Sequence, residues 1–411
     1  MGGRAAQRRP AGVASSIGRG ALTTVARIYW SAALRSAATG LAGVLLALAL
    51  AERGFDVGAI GLLVGAGLAG SAVATALVAW RGDRLDARTA LLVATAFTAL
   101  GYFAVASLRS PTLLGLAAFL GMVNGFGRDR GAAQTLDLSL LANTVTPSDR
   151  TRVFSRYTFV QEVAGAVGAL GAASPTVLGV SVPAVFLGVA VLSALPLFFY
   201  NGLSSEAHAG AALASSPEVK HDPVGRRRVS SLAALTALDS LGGGFLAGSI
   251  LAYWFFRRFG LAPESLALLF FTARALNAMS YLVAERLARR FGLIRTMVFT
   301  HLPSSALLLM VPVVPVAWLA IALFLARESL VQMDVPTRQS YMAAVVPPSA
   351  RTFVLGVTGV VRSSGWAVGA PLAGLAMSIG LAAPLYLGAG LKILYDLALF
   401  RAFQAVRPPE E

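Results

Sequence analysis

The feature that most limits this chain is the recurrence of apolar stretches, each about as long as the roughly 20 residues a helix needs to cross a bilayer. They run the whole length of the sequence with only short polar loops between them. A soluble domain has nowhere to hide so many. Charged residues make up 13% of the chain, against about 25% in an ordinary soluble protein. The 42 glycines agree with this, because small residues let helix backbones approach closely in lipid. The expected fold class is an all-α membrane protein.

Twelve spans are predicted, over residues 29–51, 59–80, 89–108, 112–144, 152–173, 181–200, 231–256, 266–284, 296–313, 317–345, 352–372 and 383–403. They divide the chain into an N-terminal tail (1–28), a six-helix bundle (29–200), a linker loop (201–230), a second six-helix bundle (231–404) and a short tail (405–411). The linker is rich in Ser, Ala and Gly and then basic, through Lys220 and Arg226 to Arg228. With an even number of spans, both termini share one side. That side carries most of the arginines, while the opposite side shows Arg53, Arg109, Arg257 and Arg258. By the positive-inside rule the arginine-rich side is the cytoplasm, and the expected location is the cell membrane. The same placement, in loops between spans, argues against nucleic acid as the reason for a net charge of +15. Residues 1–28 hold five arginines and no acid. They read as a cytoplasmic tail before a signal-anchor helix; an organelle transit peptide shares that composition. There is no cysteine, and His208, His221 and His301 are scattered. No metal or other cofactor is expected.

The chain repeats itself. Asn124 to Arg152 reads NGFGRDRGAAQTLDLSLLANTVTPSDRTR, and Arg327 to Thr352 reads RESLVQMDVPTRQSYMAAVVPPSART. Their endings align, and Ala166-Val167-Gly168-Ala169 then matches Ala367-Val368-Gly369-Ala370. Each copy places ionisable residues within apolar sequence, where they are costly and point to function. In span 10, Arg327, Asp334 and Arg338 fall on one face, Asp334 and Arg338 are spaced to pair, and Pro336 is expected to bend the helix. Span 4 carries Arg128, Asp129, Arg130, Gln134 and Asp137, with Gly125, Gly127 and Gly131 loosening it. Arg35 in span 1 and Asp239 in span 7 occupy equivalent positions, as do Gln161 and Arg362 in spans 5 and 11. Lys392 and Asp396, four residues apart, read as a structural pair, and His301 as a polar contact within span 9. Burial makes a carboxylate easier to protonate, so Glu162, Asp239 and Asp334 are candidate proton carriers.

The loop between spans 2 and 3 reads Ala79-Trp80-Arg81-Gly82-Asp83-Arg84-Leu85-Asp86-Ala87-Arg88. It resembles the G-x-x-x-D-R-x-G-R-R signature of the major facilitator superfamily. Asp83, Arg84 and Arg88 match, whereas Ala79, Asp86 and Ala87 depart. The second-half copy keeps Arg290, Gly292 and Arg295 but has Arg289 in place of the aspartate. With twelve spans and an internal repeat, the resemblance covers essentially the whole chain. It implies two pseudo-symmetric six-helix bundles, related by an axis along the membrane normal, that rock about a mid-membrane substrate site. It implies a gate at Asp83, Arg84, Arg88, Arg290 and Arg295. Within such a fold the buried polar residues Arg35, Asn124, Arg128, Asp239, Arg327, Gln332, Asp334, Arg338 and Arg362 are the candidates for the substrate cavity, with structural ion pairing the alternative for the charged ones. Because spans 1 and 7 border that cavity in this fold, the resemblance also implies an Arg35–Asp239 pair across the halves. A monomer in a lipid bilayer is the family's usual state. The phrases FTHLPSS (299–305) and QMDVPTRQSY (332–341) resemble a subgroup of bacterial-type transporters to which no substrate attaches.

The function expected from this is proton-coupled secondary transport of a small polar or anionic solute, since arginines suit carboxylate or phosphate groups. The alternative is a broad-specificity multidrug efflux pump. The G-x-x-x-G-P motif that the superfamily's drug antiporters share is absent from span 5, and only a partial version, Gly365, Gly369 and Ala370-Pro371, lies in span 11. A third reading, a non-transporting sensor or assembly factor, calls for a large soluble domain that the sequence lacks. No P-loop, metalloprotease helix or nucleophile elbow suggests an enzyme.

Overall fold

In lipid every backbone amide and carbonyl needs an internal partner, so the apolar runs fold as helices. The structure is a computed structural model and describes residues 19–81, 85–203, 223–335, 337–338 and 351–403. The first half comprises α1 (Arg19–Glu52), α2 (Val57–Arg81), α3 (Ala87–Ser107), α4 (Pro111–Leu120), α5 (Ala132–Thr144) and α6 (Pro147–Leu170). A 3₁₀ turn (Gly171–Ala173), α7 (Ser174–Val177), α8 (Val182–Ala194) and α9 (Pro196–Asn201) complete it. The second half comprises α10 (Pro223–Phe245), α11 (Gly248–Phe259), α12 (Pro263–Phe291), α13 (Leu293–Met310), α14 (Ala317–Val331), α15 (Arg351–Ile379) and α16 (Ala383–Phe403). Among the described residues these make twelve membrane spans in two six-helix bundles. Local signals set several ends. The Asp56 carboxylate caps α2 by accepting from Ala59 N at 2.9 Å, Pro263 opens α12 where its missing N–H costs nothing, and Gly260, at φ 65°, closes α11. α1 begins at Arg19, ahead of the predicted start at residue 29.

Spans 4, 7 and 10, predicted as continuous helices, are interrupted. Span 4 unwinds over 121–131, between α4 and α5. Gly127 takes φ 84° and Met122 φ 50°. Asn124 stitches the unwound stretch: its Oδ1 accepts from Phe126 N (2.9 Å) and Gly127 N (3.2 Å), and its Nδ2 donates to Arg128 O (2.7 Å). Span 7 breaks between Phe245 and Gly248, after the run Gly242-Gly243-Gly244. The two breaks face each other. Gly248 N donates to Phe126 O at 3.3 Å and Ser249 N to Gly125 O at 3.0 Å, so main chain bonds to main chain across the two halves. Irregular backbone at membrane depth is tolerated when protein buries it in this way. Span 10 leaves the helix at Val331, turns at 332–333, and is helical again at 334–335 and 337–338. Pro336 lies outside the described residues.

Apolar packing is shared at one end of the molecule and divided at the other. One cluster joins both halves where α1 ends and α2 begins, and includes Leu45, Leu50, Ile60, Trp254, Phe255, Ala370 and Ala373. At the opposite end, where α1 starts and α16 stops, each half has its own cluster. One is built on Ile28, Leu91 and Tyr157, the other on Ile294, Val354 and Leu399. Large apolar side chains stand outward around the circumference, among them Trp30, Phe159, Phe198, Trp318 and Ile379. Such a belt suits lipid and would be a liability in water.

Candidate functional site

A cavity of about 140 Å³ lies between the halves. The unwound part of span 4 supplies Phe126, Gly127, Arg128 and Arg130. Span 7 supplies Asp239 and Gly243, α12 supplies Arg274 and Asn277, α15 supplies Arg362 and Trp366, and α16 supplies Lys392. Span 10 supplies Arg327, Glu328, Gln332, Asp334 and Arg338. The wall is close to the backbone at several points because glycines carry it; a Cβ on Gly248 would stand 3.0 Å from Phe126 O. Phe126 of one half stacks on Trp366 of the other, ring centroids 4.4 Å apart.

The charges form linked groups. Glu162 on α6 holds two arginines, Arg128 at 3.3 Å in its own half and Arg274 at 3.4 Å in the other. Asp239 accepts from Arg338 Nη1 (2.8 Å) and Lys392 Nζ (2.7 Å), and Asp334 sits 3.1 Å from Arg338. Glu328 pairs with Arg327 and accepts from Asn277 Nδ2 at 2.8 Å. The expected Asp334–Arg338 pair therefore forms. His301, also on the cavity wall, has its Nδ1 2.9 Å from Asp396.

The predicted cavity residues Arg128, Asp239, Arg327, Gln332, Asp334, Arg338 and Arg362 line this one space. Arg35 and Asn124 lie elsewhere, on a smaller pocket inside the first half. There Arg35 donates to Asp137 (2.7 Å) and stands 3.0 Å from Asp129, with the Tyr157 and Tyr200 hydroxyls completing the shell around Asp137. The Arg35–Asp239 pair implied across the halves is thus not made. Each residue pairs within its own bundle instead, Arg35 with Asp129 and Asp137 of span 4 and Asp239 with Arg338 of span 10 and Lys392 of α16. Two further pairings differ from expectation. Lys392 turns to Asp239 and leaves Asp396 to His301, because neighbouring helices offer better-placed partners than the next turn of α16. His301 therefore reaches α16 rather than its own helix. Arg130, Trp366 and Lys392 line the cavity as well, although the sequence reading placed none of them among its cavity residues. The signal for Arg130 was its place in the glycine-rich repeat; Trp366 stands four residues past Arg362 on one helix face.

Of the predicted gate residues, Asp83 and Arg84 lie outside the described residues. Arg88 donates to Asn201 Oδ1 at 2.6 Å, linking the start of α3 to the end of α9. Arg290 and Arg295 are exposed at the junction of α12 and α13. Asp86, which departs from the signature, is the N-cap of α3 and accepts from Thr89 N at 3.0 Å.

Comparison with known proteins places this architecture. A family model described as Major Facilitator Superfamily matches residues 28–370. The uncharacterised membrane protein YJR124C of Saccharomyces cerevisiae is 23% identical over 394 residues, spanning 85% of this chain and 87% of that protein. Among solved structures, the nucleoside transporter NupG superposes with a TM-score of 0.70 at 13% identity, over 94% of this chain and all of that one. A D-xylose-proton symporter gives 0.71 at 13% identity, over 92% and 97%. The human organic anion transporter MFSD10 (TETRAN) gives 0.61 at 17% identity, over 92% and 99%. At these identities the structures speak for the fold alone.

Proposed function

The chain belongs to the Major Facilitator Superfamily, and from that premise we propose that it is a secondary active transporter that moves a small polar or anionic solute by alternating access, coupled to protons. The observation that carries this reading is the cavity between the halves, in which basic side chains outnumber acidic ones. Arg128, Arg130, Arg274, Arg327, Arg338, Arg362 and Lys392 stand against Asp239, Glu328 and Asp334. That lining suits an anionic group and disfavours lipophilic cations. The shared apolar core at one end and separate cores at the other support a state open at the end bearing the termini, which on the arginine distribution faces the cytoplasm of a cell membrane. Residues 29–200 and 231–404 are then the rocking bundles, 201–230 their linker, and the 2–3 loop with Arg290 and Arg295 a gate that forms when that end closes.

Among the three candidate carboxylates, Glu162 fits the coupling role best. Asp239 and Asp334 are held by cations of their own half, whereas Glu162 holds one cation from each. A proton on Glu162 would remove the charge that ties Arg274 to the first half and let the bundles part. The test is flux in proteoliposomes under an imposed pH gradient, with Glu162→Gln, Asp239→Asn and Asp334→Asn beside wild type. Glu162→Gln is expected to lose gradient-driven accumulation and keep solute exchange. If it accumulates solute like wild type, the coupling assignment is wrong. If wild type moves no anion, polar solute or dye, the transport reading is wrong.

A further inference from the structure

Most basic residues of the cavity are accounted for. Asp239 and Asp334 serve Arg338 and Lys392, Glu328 serves Arg327, and Glu162 is shared by Arg128 and Arg274. Two are not. Among the described residues, Arg130 and Arg362 have no carboxylate within ion-pair distance. They come from opposite halves, Arg130 from the unwound stretch of span 4 and Arg362 from α15, and both line the same cavity. One aromatic organises them. Trp366 is one helical turn past Arg362, and the Arg130 guanidinium lies over its ring at 6.0 Å. The ring is fixed in turn by its stack with Phe126. The Arg362 Nε is buried with no hydrogen-bond partner.

Two guanidiniums lining one cavity with no carboxylate in ion-pair contact, partly out of water, are costly unless a ligand supplies that contact. We propose that Arg130 and Arg362 are a two-arginine clamp for a compact solute bearing at least two negative charges, as carboxylate or phosphate, held between the two halves. The charge balance sets the number. Once the acids are matched to their partners, Arg130, Arg362 and one of the two arginines on Glu162 remain in excess, so a dianion still leaves the site attractive. The planar guanidinium fork matches an oxyanion in both distance and direction. A space near 150 Å³ takes a molecule as large as benzene, so the cavity of about 140 Å³ has room for a small diacid or phosphate ester. Gripped by one arginine from each half, such a ligand would draw the bundles together as it binds. The clamp rests on the transport reading for its consequence, but its binding can be measured without flux.

The experiment uses the full chain purified in detergent, with thermal stabilisation and calorimetric titration as readouts. The probes are succinate, citrate, inorganic phosphate and glycerol 3-phosphate, with acetate, glucose and tetraphenylphosphonium as controls. A carboxylate and a phosphate arm identify which oxyanion is preferred. At least one dianion is expected to bind wild type and raise its melting temperature, and the controls to do neither. Arg130→Gln and Arg362→Gln are each expected to weaken that binding by about tenfold or more, the loss of a charged hydrogen-bonding group. Their unliganded melting temperatures should hold or rise, because an unmatched charge has been removed; a purely structural arginine would give a fall. Arg362→Lys keeps the charge without the fork and is expected to bind at an intermediate level, which keeps the test open should the glutamine variants fail to fold. Failure of every dianion to bind, or binding unchanged in the variants, overturns the clamp. Clamp-dependent binding with no flux in proteoliposomes overturns transport and leaves the clamp standing. Flux of a neutral or cationic solute that ignores both variants does the reverse.

Discussion

Arg35 donates to Asp137 at 2.7 Å, and the second half repeats the relationship with its charges exchanged, Arg338 donating to Asp239 at 2.8 Å. Span 1 brings the cation and span 4 the anion; span 7 brings the anion and span 10 the cation. The internal repeat has kept the location of an ion pair and reversed its sign. Each bundle is thereby braced by its own buried pair, and neither pair ties the bundles together.

Removing one member of such a pair leaves a buried charge. Asp137→Asn is expected to cost about 3 kcal/mol of stability, read as a fall in melting temperature in detergent. Asp137 is fully buried and accepts from three side chains, so none of them has water to turn to. The double variant Arg35→Gln with Asp137→Asn should cost clearly less than the sum of the two single variants. Additive losses would show that the pair is not a unit.

The Glu162–Arg274 contact crosses between the halves, and it should show energetic coupling. A double-mutant cycle with Glu162→Gln and Arg274→Gln is expected to give about 1 kcal/mol, within the range for residues in direct contact. The 3.4 Å separation and the adjoining cavity argue against a larger figure. A coupling near zero would mean that this bridge does not hold the bundles.

Gly61 and Gly374 let α2 pack closely on α15. A Cβ on Gly374 would lie 2.7 Å from Val57 O and 2.8 Å from Gly61 Cα. Gly374→Leu is therefore expected to wedge the shared end open. The natural chain has no cysteine, so a single Ser249→Cys reports cleanly. Ser249 is fully buried, and its modification by a water-soluble maleimide should quicken by on the order of tenfold when Gly374→Leu is added, if opening costs about 1.4 kcal/mol less. An unchanged rate would place the closure elsewhere.

The cap on α3 gives a pH dependence of known sign. Slight burial pushes the Asp86 carboxyl up, but hydrogen bonds from Thr89 and the charge of Arg88 outweigh it and hold the group below its ordinary value. The stabilisation is therefore full above the unfolded value, about 4, and is lost as the pH falls through the lower folded value. Asp86→Ala is expected to cost about 1 kcal/mol at neutral pH. The gap in melting temperature from wild type should close in acid. A gap that persists there would rule out the charged cap.

The twelve spans and the two halves were legible because they rest on long-range periodicity that lipid enforces residue by residue. The breaks were not. Gly125, Gly127 and Gly131 announced a weak helix, but what unwinds span 4 is the availability of the Gly248 and Ser249 amides from a part of the chain far away in sequence. Ion partners show the same limit. Spacing of four paired Asp334 with Arg338 correctly, because both follow the same turn of span 10. It failed for Lys392 and Asp396, because Asp239 and His301 lie across helix boundaries that spacing cannot see. Repeat symmetry located Asp239 opposite Arg35 in the alignment, yet alignment gives equivalence, and equivalent positions in two bundles need not touch.

The junction between Phe126 and Gly248 is written in main chain alone, and this decides how it can be altered. Its two donors are amide hydrogens, which every residue except proline possesses, so an alanine keeps both hydrogen bonds and acts there only through its added Cβ, which at 248 would stand 3.0 Å from Phe126 O. Proline at 248 or 249 would delete one donor while changing no charge. The seam between the bundles is thus held by hydrogen bonds that carry no side chain, and a single imino acid at 249 offers a way to loosen it without changing the charges of the cavity beside it.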